Sequence, residues 1–532
     1  MQNRTSPQHS NIENIIKYIR KLNQRELLEA INLFAKVLEK EPGRFKVVQW
    51  PAHLGRIPSR TQVVVAMSSL ISLTKVVLAH GQKWANTRPT ERDIIFLQNQ
   101  IQNLPTHFTT ELPDSIGPDE LFLQLSFQQF PFQRKREWTA VGRTMLLFRE
   151  VPKVLSSEGD PPPFDLEKVA QSIYGMSLSQ FIWIGLFIYS HSLNAASPYL
   201  RLSGSANFVA TIKDRWSGDS QDMPTSETFY KFVSLVSSTP AEFKEMIGDL
   251  TLADERLISV NHMPLLSRPV VRLTADEIVV PIPKLLIERI TSGVFYDFAD
   301  QFKGTGRENP FRTYFGKVFE RYAEMQLELV FPKEVLYPEK TYDERRLPTP
   351  DWVVADEANP LALECRSSTF SLPTRVDPSM DGINKDLHRI GVDTIIKAET
   401  KLQDLKDGVT HIPIKGKEVS LILCTWEDVP PLRLFGSLLL AEIKKQGGCQ
   451  GSSFYLVPIS YLEDMTATKD KQLFLKALET LQVRDDWDNL GDGPESKWRE
   501  ALAGERASNP LIEQAARTFF SALPLEPREA SQ

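Results

Sequence analysis

Residues 349–370 read TPDWVVADEANPLALECRSSTF, and the fold of the chain turns on how this stretch pairs. Apolar residues run up to Ala355, DEANP at 356–360 carries turn chemistry, and LALECR at 361–366 is largely apolar again. The pattern predicts two short strands around a turn. Side chains alternate across a strand, so Glu364 and Arg366 share one face while Leu363 and Cys365 share the other. In the first strand Asp351 shares its face with Val353 and Ala355. Pairing through the turn would project Asp351 and Glu364 from the same side of a sheet. Two carboxylates converging there make a hard oxygen site suited to Mg²⁺ or Mn²⁺, with ligand distances of about 2.1 Å. Such an ion can bind a scissile phosphate, lower the pKa of a bound water and offset charge in an in-line displacement. Arg366, two residues beyond the second carboxylate, would face the same phosphate.

Each residue also has a plainer reading. Asp351 alone is a strand-entry residue after Pro350, a common place for Asp. A Glu inside an apolar strand is costly to bury unpaired, so Glu364 needs either a cation site or an ion pair with Arg366 or Arg345.

Around this stretch the texture predicts a helix over 311–330, strands over 334–342, 349–356 and 360–367, a helix over 380–407 and a strand over 418–425. SSFYLVPIS at 452–460 reads as one more strand, ahead of a helical tail. The first helix carries YFGKVFERYAEM (314–325), in which Glu320 sits beside an apolar stripe of Phe315, Val318, Phe319 and Tyr322.

This order of elements resembles the PD-(D/E)xK nuclease superfamily. Pro350-Asp351 looks like the "PD", Glu364-Cys365-Arg366 looks like the "(D/E)xK" with Arg in the last place, and the helix bearing Glu320 resembles the one that supplies an additional acidic residue. The resemblance covers roughly residues 308–430. It implies that Asp351 and Glu364 hold Mg²⁺ (or Mn²⁺), with Glu320 assisting, and that the main-chain carbonyl of Cys365 faces the metal. Nucleic acid is the implied substrate, DNA or RNA, and a role in bacterial antiviral defence follows only by family analogy. Arg departs from the pattern: it cannot accept a proton, although it can bind phosphate bidentately. Some relatives carry their Lys on the following helix, which makes Lys385 and Lys397 the candidates here.

At 532 residues the chain needs several cores. The expected division is a helical region over 1–155, a second over 156–265, a hairpin and helix connector over 266–307, the nuclease-like core over 308–430, and strand and helices completing it over 431–532. The fold class expected is α+β, a large all-helical N-terminal region followed by a restriction endonuclease-like α-β-β-β-α-β core with a mixed sheet flanked by helices. PPP at 161–163 breaks the helical half, and Asp165 then reads as an N-cap.

A net charge of −6 excludes a global basic field, so a nucleic-acid partner would be met by a local patch. FQRKREW at 132–138 is one such run, though a charge run is more often a solvated face. Three cysteines far apart argue for a reducing cytoplasm and against a disulfide framework or a zinc ribbon. The N-terminus has no secretory pattern, and the longest apolar run, FIWIGLFIY at 181–189, is too short for a bilayer and reads as a core helix. Neither GTGREN (304–309) nor GGCQGS (447–452) fits a phosphate loop. Arg375 and His388 lie downstream of the motif within reach of a substrate, or are structural.

Two readings of function remain open on these grounds. The first is a cytoplasmic metal-dependent nuclease; the second is the same module with its chemistry lost, binding nucleic acid or a partner protein, another copy of itself included. A third, a helical scaffold with an incidental hairpin, requires Asp351 and Glu364 to lie on opposite faces.

Overall fold

The computed structural model describes residues 11–40, 46–47, 64–65, 67–104, 137–213, 216–252, 258, 263–304, 309–342, 347–371, 374–375, 380–427, 432–448, 454–484, 494–502 and 508–522. The cations of the run at 132–136, Arg345, Cys449 and most of both glycine loops fall outside them.

Ile12, Ile15, Ile16 and Ile19 repeat at helical spacing and are all buried, in the helix Ile12–Ile19 that Asn11 caps through the Glu13 N–H. Gln24–Lys40, Met67–His80 and Glu91–Gln102 pack with it around one apolar core, which also takes Phe243, Val271, Val279 and Leu285. A second, larger core runs from Val141 to Phe519. It swallows the apolar helix Leu178–Asn194, whose Phe181, Ile182 and Ile184 are fully buried. Among the described residues no single helix is long and apolar enough to cross a membrane. Asp165 caps Leu166–Tyr174 by accepting from the Glu167 and Lys168 N–H groups, as its position after the prolines predicts.

The N-terminal region is not all-helical. Tyr199–Arg201 and Ser237–Ser238 join the hairpin Val270–Arg272 and Glu277–Val279 in a four-stranded sheet. A strand of two or three residues leaves no alternation to read, so these segments look like helix ends and loops in the sequence. The hairpin itself falls within the hairpin and helix connector expected over 266–307, and Pro283 opens the following helix, Pro283–Ile290.

The large sheet has six strands, numbered here in chain order: β1 Leu336–Pro338, β2 Trp352–Val354, β3 Leu361–Arg366, β4 Ser420–Thr425, β5 Phe454–Pro458 and β6 Gln482–Val483. Their order across the sheet is β6-β5-β4-β3-β2-β1. β1, β2 and β3 run antiparallel, β4 lies parallel to β3, β5 parallel to β4, and β6 antiparallel to β5. The parallel steps need crossovers, and helices supply them. The mixed α+β class is therefore as expected. The stretch 334–342 is not one strand, however: after β1, Thr341–Tyr342 turns away to pair with Leu347–Pro348.

Two helices bracket the site. α1, Pro310–Leu327, lies on the face that carries Trp352, whose indole N–H donates to the Glu320 main-chain carbonyl at 3.2 Å. α2, Asp393–Asp407, continues from Met380–Leu387 through a π-helical turn, His388–Val392. Gly391 in that turn lies so close to β4 that a Cβ would stand 2.7 Å from Leu423 Cδ2. Leu423 is the register partner of Glu364, so this helix covers the face from which Glu364 projects.

Candidate functional site

Trp352 pairs with Leu363 on one side and with Pro338 on the other. Carried one residue along, this register sets Glu339, Asp351 and Glu364 in a single row across β1, β2 and β3. Residues directly opposite one another share a face. The Glu339 N–H donates to the Asp351 carbonyl at 2.9 Å, and the Cys365 N–H donates to Asp351 Oδ2 at 2.7 Å, which pins the Asp side chain over β3. Asp351 and Glu364 thus lie on the same face, the arrangement that the hairpin pattern predicts and that the scaffold reading forbids.

Glu364 is only 2% exposed. A buried carboxylate needs partners, and α2 provides one: Lys401 Nζ lies 2.7 Å from Glu364 Oε1. Arg366, further along the same face of β3, stands 3.5 Å from the other oxygen. Its Nε donates to Thr394 Oγ1 at 2.5 Å, so the guanidinium is held against the first turn of α2. Glu320 comes from the opposite side, from α1, near enough to feel Asp351, Glu339, Glu364 and Arg366.

The electrostatics follow from burial and crowding. Burial, then repulsion from Asp351, Glu339 and Glu364, pushes Glu320 up to about 8, with Arg366 opposing. Burial raises Asp351 against the pull of the Cys365 N–H, Arg366 and Lys401. Burial and Asp351 raise Glu364, opposed by Lys401 and Arg366. Glu339 is raised by burial and Asp351 as well. Four carboxylates that all resist ionisation form a place where a divalent cation could replace protons. The donors suit Mg²⁺ or Mn²⁺: Asp351, Glu364 and the Cys365 carbonyl are hard oxygens. Against that, Lys401 already holds one Glu364 oxygen, and among the described residues no group of three or more His, Cys, Asp or Glu side chains is drawn together enough to hold a metal.

Asp351, Glu364, Arg366 and Glu320 are therefore brought together, whereas Lys385 and Lys397 are not. Both lysines are exposed, and neither is hydrogen-bonded or ion-paired to a site carboxylate among the described residues. The lysine of α2 that reaches the sheet is Lys401, one turn beyond Lys397. Helical side chains lean towards the N-terminus, so the residue covering a given spot lies C-terminal to it. Thr394 and Lys401, seven apart, fall on one stripe of α2, and that spacing was the available signal. Glu339 carried no such signal, because the turn at 339–342 breaks the strand pattern.

Arg375 and His388 are engaged elsewhere. Arg375 donates to the Phe370 carbonyl at 2.9 Å and pairs with Glu427, while His388 lies between Asp393 and Glu442. Cys365 is buried, with its side chain on the face away from the carboxylates and opposite Cys424 across β3 and β4.

No family model matches the chain, and no curated protein is similar to it in sequence.

Proposed function

We propose that the chain is a metal-dependent phosphodiester hydrolase of the PD-(D/E)xK kind, acting on DNA or RNA. The observation that carries this reading is the row of Asp351 and Glu364 on the centre of a mixed sheet, with cations from β3 and α2 on the same face. The β1-β2-β3-β4 order, antiparallel twice and then parallel, with α1 before it and α2 between β3 and β4, supports the same core. Asp351 and Glu364 would hold Mg²⁺ or Mn²⁺, which when bound supplies an activated water and charge neutralisation. Arg366 binds phosphate, and Lys401 takes the place of the motif lysine. Lys401 opposes the rise that burial and Asp351 impose on Glu364, and its ammonium carries further N–H donors beyond the one given to Glu364.

A second reading has its own observation. Lys401 and Arg366 already neutralise Glu364 from both oxygens, as in a module that has replaced its metal with an internal ion pair and retains only binding. Incubating purified protein with Mg²⁺ or Mn²⁺ and labelled single- and double-stranded DNA and RNA separates the two. Cleavage lost in Asp351→Ala supports the hydrolase. Binding without cleavage in the wild type, unchanged by Asp351→Ala, sinks it in favour of the second. The restriction to bacterial defence is an analogy on top of either.

A further inference from the structure

On a different apolar core from the carboxylate row, the N-terminal helices hold one tryptophan out in water. Trp84 is 83% exposed, with Lys83 Nζ 5.3 Å from the centre of its ring. An exposed indole is unfavourable, yet this one is mounted firmly. The Asn23 N–H donates to the Thr87 carbonyl at 2.9 Å, the Gln24 N–H to Gln82 at 3.2 Å, and the Asn23 side-chain amide to Ala85 at 3.1 Å. Gly81 opens the strap, where a Cβ would stand 2.5 Å from the Val77 carbonyl and 2.9 Å from Gln24 Cγ, so no larger residue fits. The loop over 82–87 is thereby stitched to the turn between Ile12–Ile19 and Gln24–Lys40.

The surroundings of this platform are cationic. Arg20 and Lys21 sit in that same turn, exposed, and Arg88 follows the loop with Glu26 at 3.6 Å. Pro240–Ile247 packs on Met67–His80 and brings exposed Lys244 near His80, whose imidazole is depressed by burial first and then by Arg20 and Lys244, with Asp249 opposing. Carboxylates share the corner: Glu26 faces Arg88, and Asp249 accepts from the N–H and hydroxyl of Thr251 while acting on His80 against Arg20 and Lys244. In a chain of net charge −6, an exposed indole with Lys83 against its ring, on a loop stitched to the turn that carries Arg20 and Lys21, is a local exception.

We infer that this corner binds single-stranded nucleic acid, a base stacking on Trp84 while Lys83, Arg20, Lys21 and Lys244 meet flanking phosphates. Stacking on an aromatic is tolerant of sequence, and the cations supply a salt-dependent grip on the backbone. The choice of nucleic acid as the phosphate carrier rests on the hydrolase reading, but the site is separate from the carboxylates and needs no metal.

Binding of a fluorescein-labelled oligodeoxythymidylate to the full chain, followed by anisotropy in EDTA, tests this without cleavage. Trp84→Ala should weaken binding by about tenfold, within the range for loss of one stacked base, and Trp84→Phe should restore most of it. Reversing Arg20 and Lys83 to Glu should weaken binding and flatten its dependence on salt. Binding in EDTA is read without metal or cleavage, so a failed hydrolase and a failed platform give different results. Equal affinity of wild type and Trp84→Ala, or no binding of the strand at all, overturns the proposal.

Discussion

Lys401 Nζ and Glu364 Oε1 are 2.7 Å apart across the gap between α2 and β3, and the carboxylate is 2% exposed while the lysine side chain is 17% exposed. The pair is buried on one side and wet on the other. Removing its cation leaves a charge that the interior cannot solvate. Lys401→Met should therefore cost about 3 kcal/mol at pH 7, the scale for breaking a buried pair, and Glu364 should then take up a proton. Adding Glu364→Gln to that variant should recover a large part of the loss. Urea unfolding of the two singles and the double gives the coupling directly, and additive effects would mean that the pair contributes nothing.

Glu320 gives stability a definite dependence on pH. Its ordinary value is 4.5 and the folded protein pushes it up to about 8, through burial first and then Asp351. Between those values the folded state keeps a proton that the unfolded chain has released, so this group makes stability fall as pH rises from about 4.5 towards about 8. Glu320→Gln carries no such proton. It should match the wild type near pH 4 and exceed it at pH 8 and above, as read from urea midpoints at the two ends. A wild-type advantage at pH 8 would mean that an unmodified carboxylate is favoured there.

A divalent cation should act on the same cluster. If Asp351 and Glu364 bind it, Mg²⁺ or Mn²⁺ stabilises the native state by mass action, about 2.7 kcal/mol at one hundred times the dissociation constant. The rise in melting temperature should be present in the wild type, absent in Asp351→Ala, and reversed by EDTA. If the Lys401 ion pair has displaced the metal, wild type and Asp351→Ala will melt alike at every concentration, while Lys401→Met will gain a response.

How much of this could be read from residues alone differs from element to element. The β2–β3 hairpin, with Asp351 and Glu364 on one side, follows from the turn at 356–360 and from the period of two along the six residues of β3. α1 and Glu320 follow from an apolar stripe. Lys401 follows only in part, since its spacing from Thr394 puts the two on one stripe of α2 but does not say which stripe meets the sheet. That choice is made by the π-helical turn at His388–Val392 and the close approach of Gly391 to Leu423. Glu339 was hidden for another reason. Its position depends on β1 ending at Pro338 and on the register of β1 against β2. Tyr199–Arg201 and Ser237–Ser238 of the N-terminal sheet were illegible because they are held by strands far away in sequence and are too short to carry a pattern of their own.

Arg366 decides whether the unusual motif residue is a defect or a fitted part. Its Nε is committed to Thr394 Oγ1 at 2.5 Å, and one terminal nitrogen lies 3.5 Å from Glu364, which orients the fork and leaves further N–H groups towards the row. A lysine has no planar fork and cannot make both contacts from this position. Arg366→Lys, although it restores the usual letter of the motif, should lower any cleavage activity by about tenfold, the cost of one charge-assisted contact of about 1.4 kcal/mol. Thr394→Val should lower it in the same direction, and the two together should cost little more than either alone, because both act on one guanidinium. Rates of cleavage for the three variants, with metal-dependent melting as the check on folding, provide the measurement. A rise in activity in Arg366→Lys would show instead that the arginine is a lapsed lysine and that Lys401 does not stand in for it.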